Sequence, residues 1–162
     1  MAVTRVGGTG HRLLPAATAR LVEPALRELL GRCAGADGLV GVTLLDDGAD
    51  LLFAQAILAL GGALEVVLPA SRYRDGLPVH SLGAFDELLA RATRIRRLPY
   101  VESTSEAHMA AGQVLVERAD VVIAVWDGRP ARGVGGTGDV VAYARARGVP
   151  VEVIWPPGAS RD

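Results

Sequence analysis

Short apolar segments alternate with longer segments of helical periodicity, and this alternation most constrains how the chain folds. The apolar segments are rich in Val, Ile and Leu, as in VVIAVW at residues 121–126. Such segments are typical of strands that helices cover on both sides of a parallel sheet. Strands are predicted at residues 3–6, 39–45, 64–68, 95–98, 121–126 and 151–154. We therefore expect an α/β fold, with a doubly wound, mainly parallel sheet and helices on both faces.

The segments between the strands have helical periodicity. Helices are predicted at residues 24–34, 48–62, 81–93, 104–118 and 138–147. The first is placed to begin at Pro24, because proline suits the first position of a helix. No linker or change of composition divides the chain, so residues 1–162 are expected to form one domain.

The composition excludes several classes of chemistry. All 17 basic residues are Arg, so a Schiff-base lysine and the phosphate-binding lysine of nucleotide triphosphatases are absent. Cys33 is the only cysteine and excludes an internal disulfide, while the three histidines lack the spacing of a metal site. We expect no metal, no cofactor and a cytoplasmic protein.

The formal net charge of -1 gives no reason to expect a general affinity for polyanions. No apolar segment is long enough to span a bilayer, and the first residues lack a secretion signal. We expect a small-molecule partner, and neither an extended nucleic acid nor a membrane.

The tetrapeptide Gly-Gly-Thr-Gly occurs twice, at residues 7–10 and 135–138. Each copy follows a predicted strand and precedes a predicted helix, at the edge of the sheet where α/β proteins bind ligands. Glycines there let backbone N–H groups approach a phosphate, although tight turns alone also explain them. The candidate ligand-binding residues from these copies are Gly7, Gly8, Thr9, Gly10, Gly135, Gly136, Thr137 and Gly138.

Polar residues beside the predicted strand ends extend the candidate site. His11 and Arg12 follow the first glycine segment, and Gly48 and Asp50 follow the second predicted strand. A ring and a guanidinium suit a base or phosphate, and a carboxylate suits ribose hydroxyls, whereas a solvated arginine is the plain alternative. Further candidates, from the end of the most apolar strand, are Trp126, Asp127 and Gly128.

Asp139 directly follows the second glycine segment. It is a candidate catalytic carboxylate, and a stabilising residue of a helix N-terminus explains it equally well. The segment GVGGTG also matches a dinucleotide-binding pattern, but the acidic residue that should follow about 20 positions later is missing. A nicotinamide-dependent dehydrogenase is therefore not expected.

Taken together, GGTGHR, GADLLFAQAILALGGALEVVLP, ADVVIAVWDG and GGTGDVVAYARARGVPV resemble the SLOG superfamily. Its members are Rossmann-like nucleotide-binding proteins, among them the lonely guy phosphoribohydrolases and the DprA-type DNA-processing proteins. The resemblance implies a nucleotide or nucleotide-derived ligand at the strand ends, and a homodimer. In the phosphoribohydrolases a pair of glutamates follows the glycine segment, and Asp139 stands alone in that region here.

Two functions follow from these residues and the resemblance. The first is binding of a nucleotide, with the chain acting as a sensor. The second is an N-glycosidase that releases the base from a nucleoside monophosphate, with Asp139 stabilising or attacking the ribosyl cation and Glu106 as a second carboxylate.

Overall fold

The computed structural model describes residues 3–162, in which six strands alternate with five α-helices. The strands are β1 (Thr4–Gly10), β2 (Leu39–Thr43), β3 (Ala63–Ala70), β4 (Arg94–Tyr100), β5 (Val121–Val125) and β6 (Val151–Ile154). The helices are α1 (Ala16–Cys33), α2 (Ala49–Ala59), α3 (Leu82–Ala90), α4 (Ser105–Arg118) and α5 (Thr137–Ala146). Within the described range, no helix is long and apolar enough to cross a membrane.

All strand pairings in the sheet are parallel, and the strand order is β4-β3-β2-β1-β5-β6. The chain begins in the middle of the sheet, proceeds outward to β4, and then returns to place β5 on the other side of β1. The order therefore reverses between β1 and β5, and ligands of doubly wound sheets bind at the carboxyl ends of such strands. The predicted α/β fold is confirmed.

Helices cover both faces of this sheet. On one face α1, α2 and α3 share a core in which Leu26, Phe53 and Phe85 are buried. On the other face α4 and α5 pack through Leu115 and Ala144 against residues of the sheet. The crossover from β4 to β5 through α4 thus changes face, as the reversal of strand order requires.

The first glycine segment lies inside strand β1, so the prediction that the strand ends before it was wrong. Gly7 to Gly10 are hydrogen-bonded beside Val122 to Val125 of β5, so β1 extends to Gly10. Helices on both faces approach this part of β1 closely. A Cβ atom on Gly8 would lie 2.5 Å from Phe53 Cγ, and one on Gly7 would lie 2.6 Å from Leu115 Cδ2. These glycines are required by packing.

Helix α1 begins at Ala16, eight positions before the predicted start, and Pro24 lies inside it. Thr18, Val22, Leu26 and Leu30 are buried at every fourth position, and burial of this stripe favours helix along the whole segment. Pro24 and Arg20 are exposed. The Arg20 carbonyl that loses its helical hydrogen bond at Pro24 therefore faces water, which makes the proline tolerable.

Replacing Gly8 by alanine is expected to lower the free energy of unfolding by about 1–3 kcal/mol, since the new methyl group overlaps the Phe53 ring. Urea denaturation measures the change. Gly31→Ala is the matched control, because a Cβ at that helical glycine meets nothing within 4 Å. It should be neutral or stabilising by up to about 1 kcal/mol. Equal effects of the two variants would contradict the packing role of Gly8.

Candidate functional site

A cavity of about 360 Å³ lies at the carboxyl ends of β1 and β5, and both Gly-Gly-Thr-Gly segments line it. The volume is in the range of small-molecule sites. The candidate residues from the sequence that line the cavity are Gly8, Thr9, Gly10, His11, Arg12, Asp50, Trp126, Gly135, Gly136, Thr137 and Gly138. The structure does not bring Gly7, Gly48, Glu106, Asp127, Gly128 or Asp139 into its lining.

The second glycine segment forms the loop before α5. Gly135 has a φ of 83°, a conformation that favours glycine, and a Cβ there would lie 3.0 Å from the Ser105 carbonyl oxygen. The Gly135 N–H donates to Asp139 Oδ2 over 3.0 Å, so this carboxylate closes the loop. Gly136 is the N-cap of α5 and no side chain caps the helix. The first N–H groups of α5 are therefore available to a ligand.

The N-terminus of α4 forms a second part of the wall. Ser103, Thr104 and Ser105 line the cavity, and Thr104 Oγ1 accepts a hydrogen bond from the Ala107 N–H over 3.1 Å. Glu106 lies in the same turn but is exposed outside the cavity. Two helix N-termini thus border one cavity, which favours an anionic ligand.

Arg12 links the first strand to this helix. Its Nε lies 2.6 Å from Asp46 Oδ2, and its Nη2 lies 2.9 Å from His108 Nδ1. Because arginine has only donors, His108 Nδ1 accepts and its Nε2 carries the proton, 2.9 Å from Ser103 Oγ. Burial and then the charge of Arg12 lower the pKa of His108, while Asp46 opposes this. His108 is a neutral residue that orients Arg12.

Asp50 is a buried carboxyl group in the first turn of α2. Its Oδ2 accepts a hydrogen bond from the Asp46 N–H over 3.1 Å. Burial, followed by the nearby charge of Asp46, raises the pKa of Asp50 well above the ordinary value. Burial and the same two carboxylates also raise the pKa of Tyr73, whose hydroxyl has no hydrogen-bond partner in residues 3–162. The protonated form of Asp50 therefore persists above the usual range.

His11 connects the ends of the two central strands and does not project freely towards a ligand. It is 3 % exposed, and its Nε2 accepts from the Asp127 N–H over 3.0 Å. The Trp155 ring packs edge-on against it at 5.4 Å. Burial and then the charge of Arg161 lower the pKa of His11. A neutral His11 holds the Asp127 backbone, and the Asp127 carboxylate, outside the cavity lining, accepts the Arg129 N–H over 2.9 Å.

Arginines gather on the β5 side of the cavity. Arg129, Arg132 and Arg161 line it together with Trp126, whose Nε1 donates to the Arg129 carbonyl oxygen over 2.8 Å. With Arg12, four arginines line the cavity. No group of three or more His, Cys, Asp or Glu side chains in residues 3–162 is arranged to hold a metal ion.

The sequence did not single out His108, Ser103 to Ser105 or Arg161 as site residues. The first two belong to the loop and first turn after β4, whose carboxyl end lies on the ligand edge of the sheet. The position of this segment at the ligand edge of the sheet was the sequence feature that could have identified these residues. Arg161 follows the last strand and returns to the cavity through contacts that no sequence pattern indicates.

No protein-family model matches the chain, and comparison with curated proteins gives no significant match. Solved structures share its fold. DNA processing protein A (DprA) from Streptococcus pneumoniae has a TM-score of 0.71 and 19% identity over 96% of this chain and 52% of its own chain. DprA from Helicobacter pylori, described for its single-stranded DNA binding mode, has a TM-score of 0.68 and 19% identity over 97% of this chain and 68% of its own.

A third similar structure is the molybdenum cofactor binding protein from Rippkaea orientalis. Its TM-score is 0.61, with 18% identity over 94% of this chain and 77% of its own. The chain therefore spans about half the length of the S. pneumoniae protein and about three quarters of the R. orientalis protein.

These findings correct one expectation from the sequence. The exclusion of an extended nucleic acid was wrong, because the H. pylori protein with this fold binds single-stranded DNA. The net charge averages the whole surface and does not show that four of the arginines line one cavity. The Rossmann-like fold that the resemblance to the SLOG superfamily implied is confirmed. The chain has the α/β fold that these solved structures share.

Proposed function

We propose that the chain binds a nucleotide or nucleotide-derived ligand through its phosphate in the cavity between β1 and β5. One observation carries this proposal: two helix N-termini and four arginines border a single cavity at the reversal of strand order. Backbone N–H groups at helix N-termini and guanidinium groups are the common phosphate ligands of proteins.

The two sides of the cavity differ in chemistry, which orients the ligand. The uncapped N-terminus of α5 and its glycines suit the phosphate. Asp46 and Asp50, on the side of Arg12, offer acceptors for sugar hydroxyls or for amino groups of a base. We infer that phosphate lies on the β5 side and the nucleoside on the β2 side.

A carboxylate at the N-cap of α5 should compete with the phosphate. Gly136→Asp is expected to weaken nucleotide binding about tenfold or more, because the new side chain accepts the N–H groups and adds a negative charge there. Calorimetric titration measures binding of AMP, other nucleoside monophosphates, NAD, ADP-ribose and a short single-stranded oligonucleotide. The oligonucleotide is included because the H. pylori protein binds single-stranded DNA.

Gly136→Ala is the control for this experiment. It introduces the same Cβ, which would lie 3.0 Å from Ala131 Cβ, without adding a charge. If Gly136→Asp loses nucleotide binding and Gly136→Ala keeps it, the phosphate site is supported. Equal binding by all three proteins would contradict it, and so would no saturable binding of any ligand to the wild type.

A second function, the N-glycosidase, is favoured by one observation, the buried Asp50 with its raised pKa at the cavity wall. A protonated Asp50 would donate its proton to the leaving nitrogen of the base as the C1′–N bond breaks. Water would add to C1′ and return a proton to the carboxylate. This assigns the acid role to Asp50, because the Asp139 carboxylate accepts the Gly135 N–H and Glu106 lies outside the cavity.

Chromatography with mass detection of free base, after incubation with nucleoside monophosphates, tests the glycosidase. We expect wild type to release base and Asp50→Asn to be about 100-fold slower or more, the usual effect of a lost acid catalyst. Asp139→Asn is the comparison. If it alone abolishes release, the catalytic carboxylate is Asp139. If wild type releases no base while it binds nucleotides, a sensor role is favoured.

The raised pKa of Asp50 also predicts a pH-dependent stability. The folded protein disfavours ionised Asp50, so wild type loses stability as the pH rises from the ordinary Asp value of 3.8 to the raised pKa. Asp50→Asn does not titrate there. The free energy of unfolding of the variant should therefore rise relative to that of wild type by about 1.4 kcal/mol for each pH unit in this interval. Above the interval the difference between the two proteins should be constant.

Urea denaturation from pH 4 to pH 9 measures the difference between the two proteins. Other titratable groups are common to both, so their contributions cancel. A difference independent of pH would show that Asp50 ionises normally in the folded chain.

The homodimer, the cytoplasmic location, the single domain and the lack of a cofactor stay predictions from the sequence.

A further inference from the structure

The segment after β6, residues 155–162, returns over the carboxyl edge of the sheet to the cavity. We call it the return segment. Its first residue, Trp155, packs against His11, and a turn in which the Ala159 N–H donates to the Pro156 carbonyl redirects the chain. Asp162, at its other end, lies 3.1 Å from Arg132 in the loop before α5.

Two hydrogen bonds fix this segment to α1. Thr18 Oγ1 donates to the Ser160 carbonyl oxygen over 2.6 Å, and the Ser160 N–H donates to the same Thr18 Oγ1 over 2.9 Å. Thr18 is 1 % exposed, so this hydroxyl is a buried polar group whose partners both belong to the return segment. Loss of the hydroxyl leaves the backbone groups of Ser160 without these partners. The residue next to this anchor is Arg161.

Arg161 is partly buried in the cavity wall, and it makes no ion pair in residues 3–162. The other cavity arginines differ from it. Arg12 is paired with Asp46 and Arg132 with Asp162, while Arg129 is exposed to water. A partly buried guanidinium that forms no ion pair with these carboxylates keeps its N–H donors for an anion from outside the chain, although its charge acts on Asp127 and Asp162. Its charge already acts on both His11 and Asp127 at the strand ends.

We propose that the return segment is a wall of the binding site, in which Arg161 binds the phosphate group of the ligand and Thr18 positions Arg161 through Ser160. The proposal rests on the proposed function only in that the phosphate belongs to a nucleotide. Arg161 faces the cavity that the uncapped N-terminus of α5 also borders, so guanidinium and helix dipole act on one anion.

Calorimetric titration with two probes, inorganic pyrophosphate and AMP, tests the role of Arg161. Arg161→Gln is expected to weaken binding of both probes about tenfold or more, because a charge-assisted contact is lost. Arg20→Gln is the matched control, since Arg20 is exposed on α1 outside the cavity and the net charge changes equally. It should bind both probes as wild type does.

The role of Thr18 needs a readout that general destabilisation does not change. Thr18→Val keeps the shape but removes the hydroxyl, and it should weaken binding of both probes several-fold. Thr18→Ser restores the hydroxyl and should restore binding. Amide hydrogen exchange of residues 155–162 should be faster in the valine variant and unchanged in Arg161→Gln, because Arg161 does not anchor the segment.

The outcomes separate this inference from the proposed function. If wild type binds AMP and Arg161→Gln binds it equally well, the inference is overturned and the function stands. If pyrophosphate binds in an Arg161-dependent manner while nucleotides do not, the inference stands and the function fails. If neither probe binds wild type, the inference is overturned, and the function is overturned with it when no other ligand of the panel binds. If Thr18→Val binds both probes as tightly as wild type does, Thr18 does not position Arg161.

Discussion

The contact of two helices with the glycine positions of β1 determines the geometry of the site. Phe53 of α2 and Leu115 of α4 occupy the two faces of β1 where Gly8 and Gly7 have no Cβ. Both helices therefore lie close to the central strand. Their N-terminal turns, which carry Asp50 and Ser105, reach the carboxyl end of β1 from opposite faces. The cavity exists because these turns and the end of the strand meet.

The charges around the cavity are compensated on one side and incompletely compensated on the other. On the β2 side, Arg12 is held by Asp46 and by a neutral His108, while burial keeps Asp50 protonated above its usual range. On the β5 side, Arg161 forms no ion pair in the described residues, although its charge acts on Asp127 and Asp162. Asp162 pairs with Arg132 on the exposed surface, and such a pair contributes little stability. The electrostatic interaction with a bound anion is therefore most favourable on the β5 side, next to α5.

Much of the fold followed from the sequence because it depends on local patterns. Six apolar segments and the helices between them fix a parallel sheet, and the edge at which the site lies follows from that arrangement. The prediction failed where long-range packing decides the outcome. The start of α1 depends on burial of Thr18 and Val22, and the extension of β1 to Gly10 depends on its pairing with β5.

Side-chain direction set a second limit on prediction. Asp139 is adjacent in sequence to the glycine loop, yet its carboxylate bonds to the Gly135 N–H, four residues back. Arg161 is distant in sequence from both Gly-Gly-Thr-Gly segments, yet it lines the cavity. Distance along the chain predicts neither position. The position of the Asp139 carboxylate depends on the conformation of a loop, and that of Arg161 follows two hydrogen bonds between Ser160 and Thr18.

The two Gly-Gly-Thr-Gly segments have the same sequence, but glycine is required in them for different physical reasons. In β1 the glycines are extended, and a side chain is excluded by helices already packed there. Before α5, Gly135 has a positive φ and Gly136 leaves the helix without a side-chain cap. A substitution in the first segment therefore acts on stability, and a capping carboxylate in the second acts on anion binding. A glycine motif acquires a function only through the backbone conformation in which it occurs, so the second segment, not the first, carries the phosphate site that we propose.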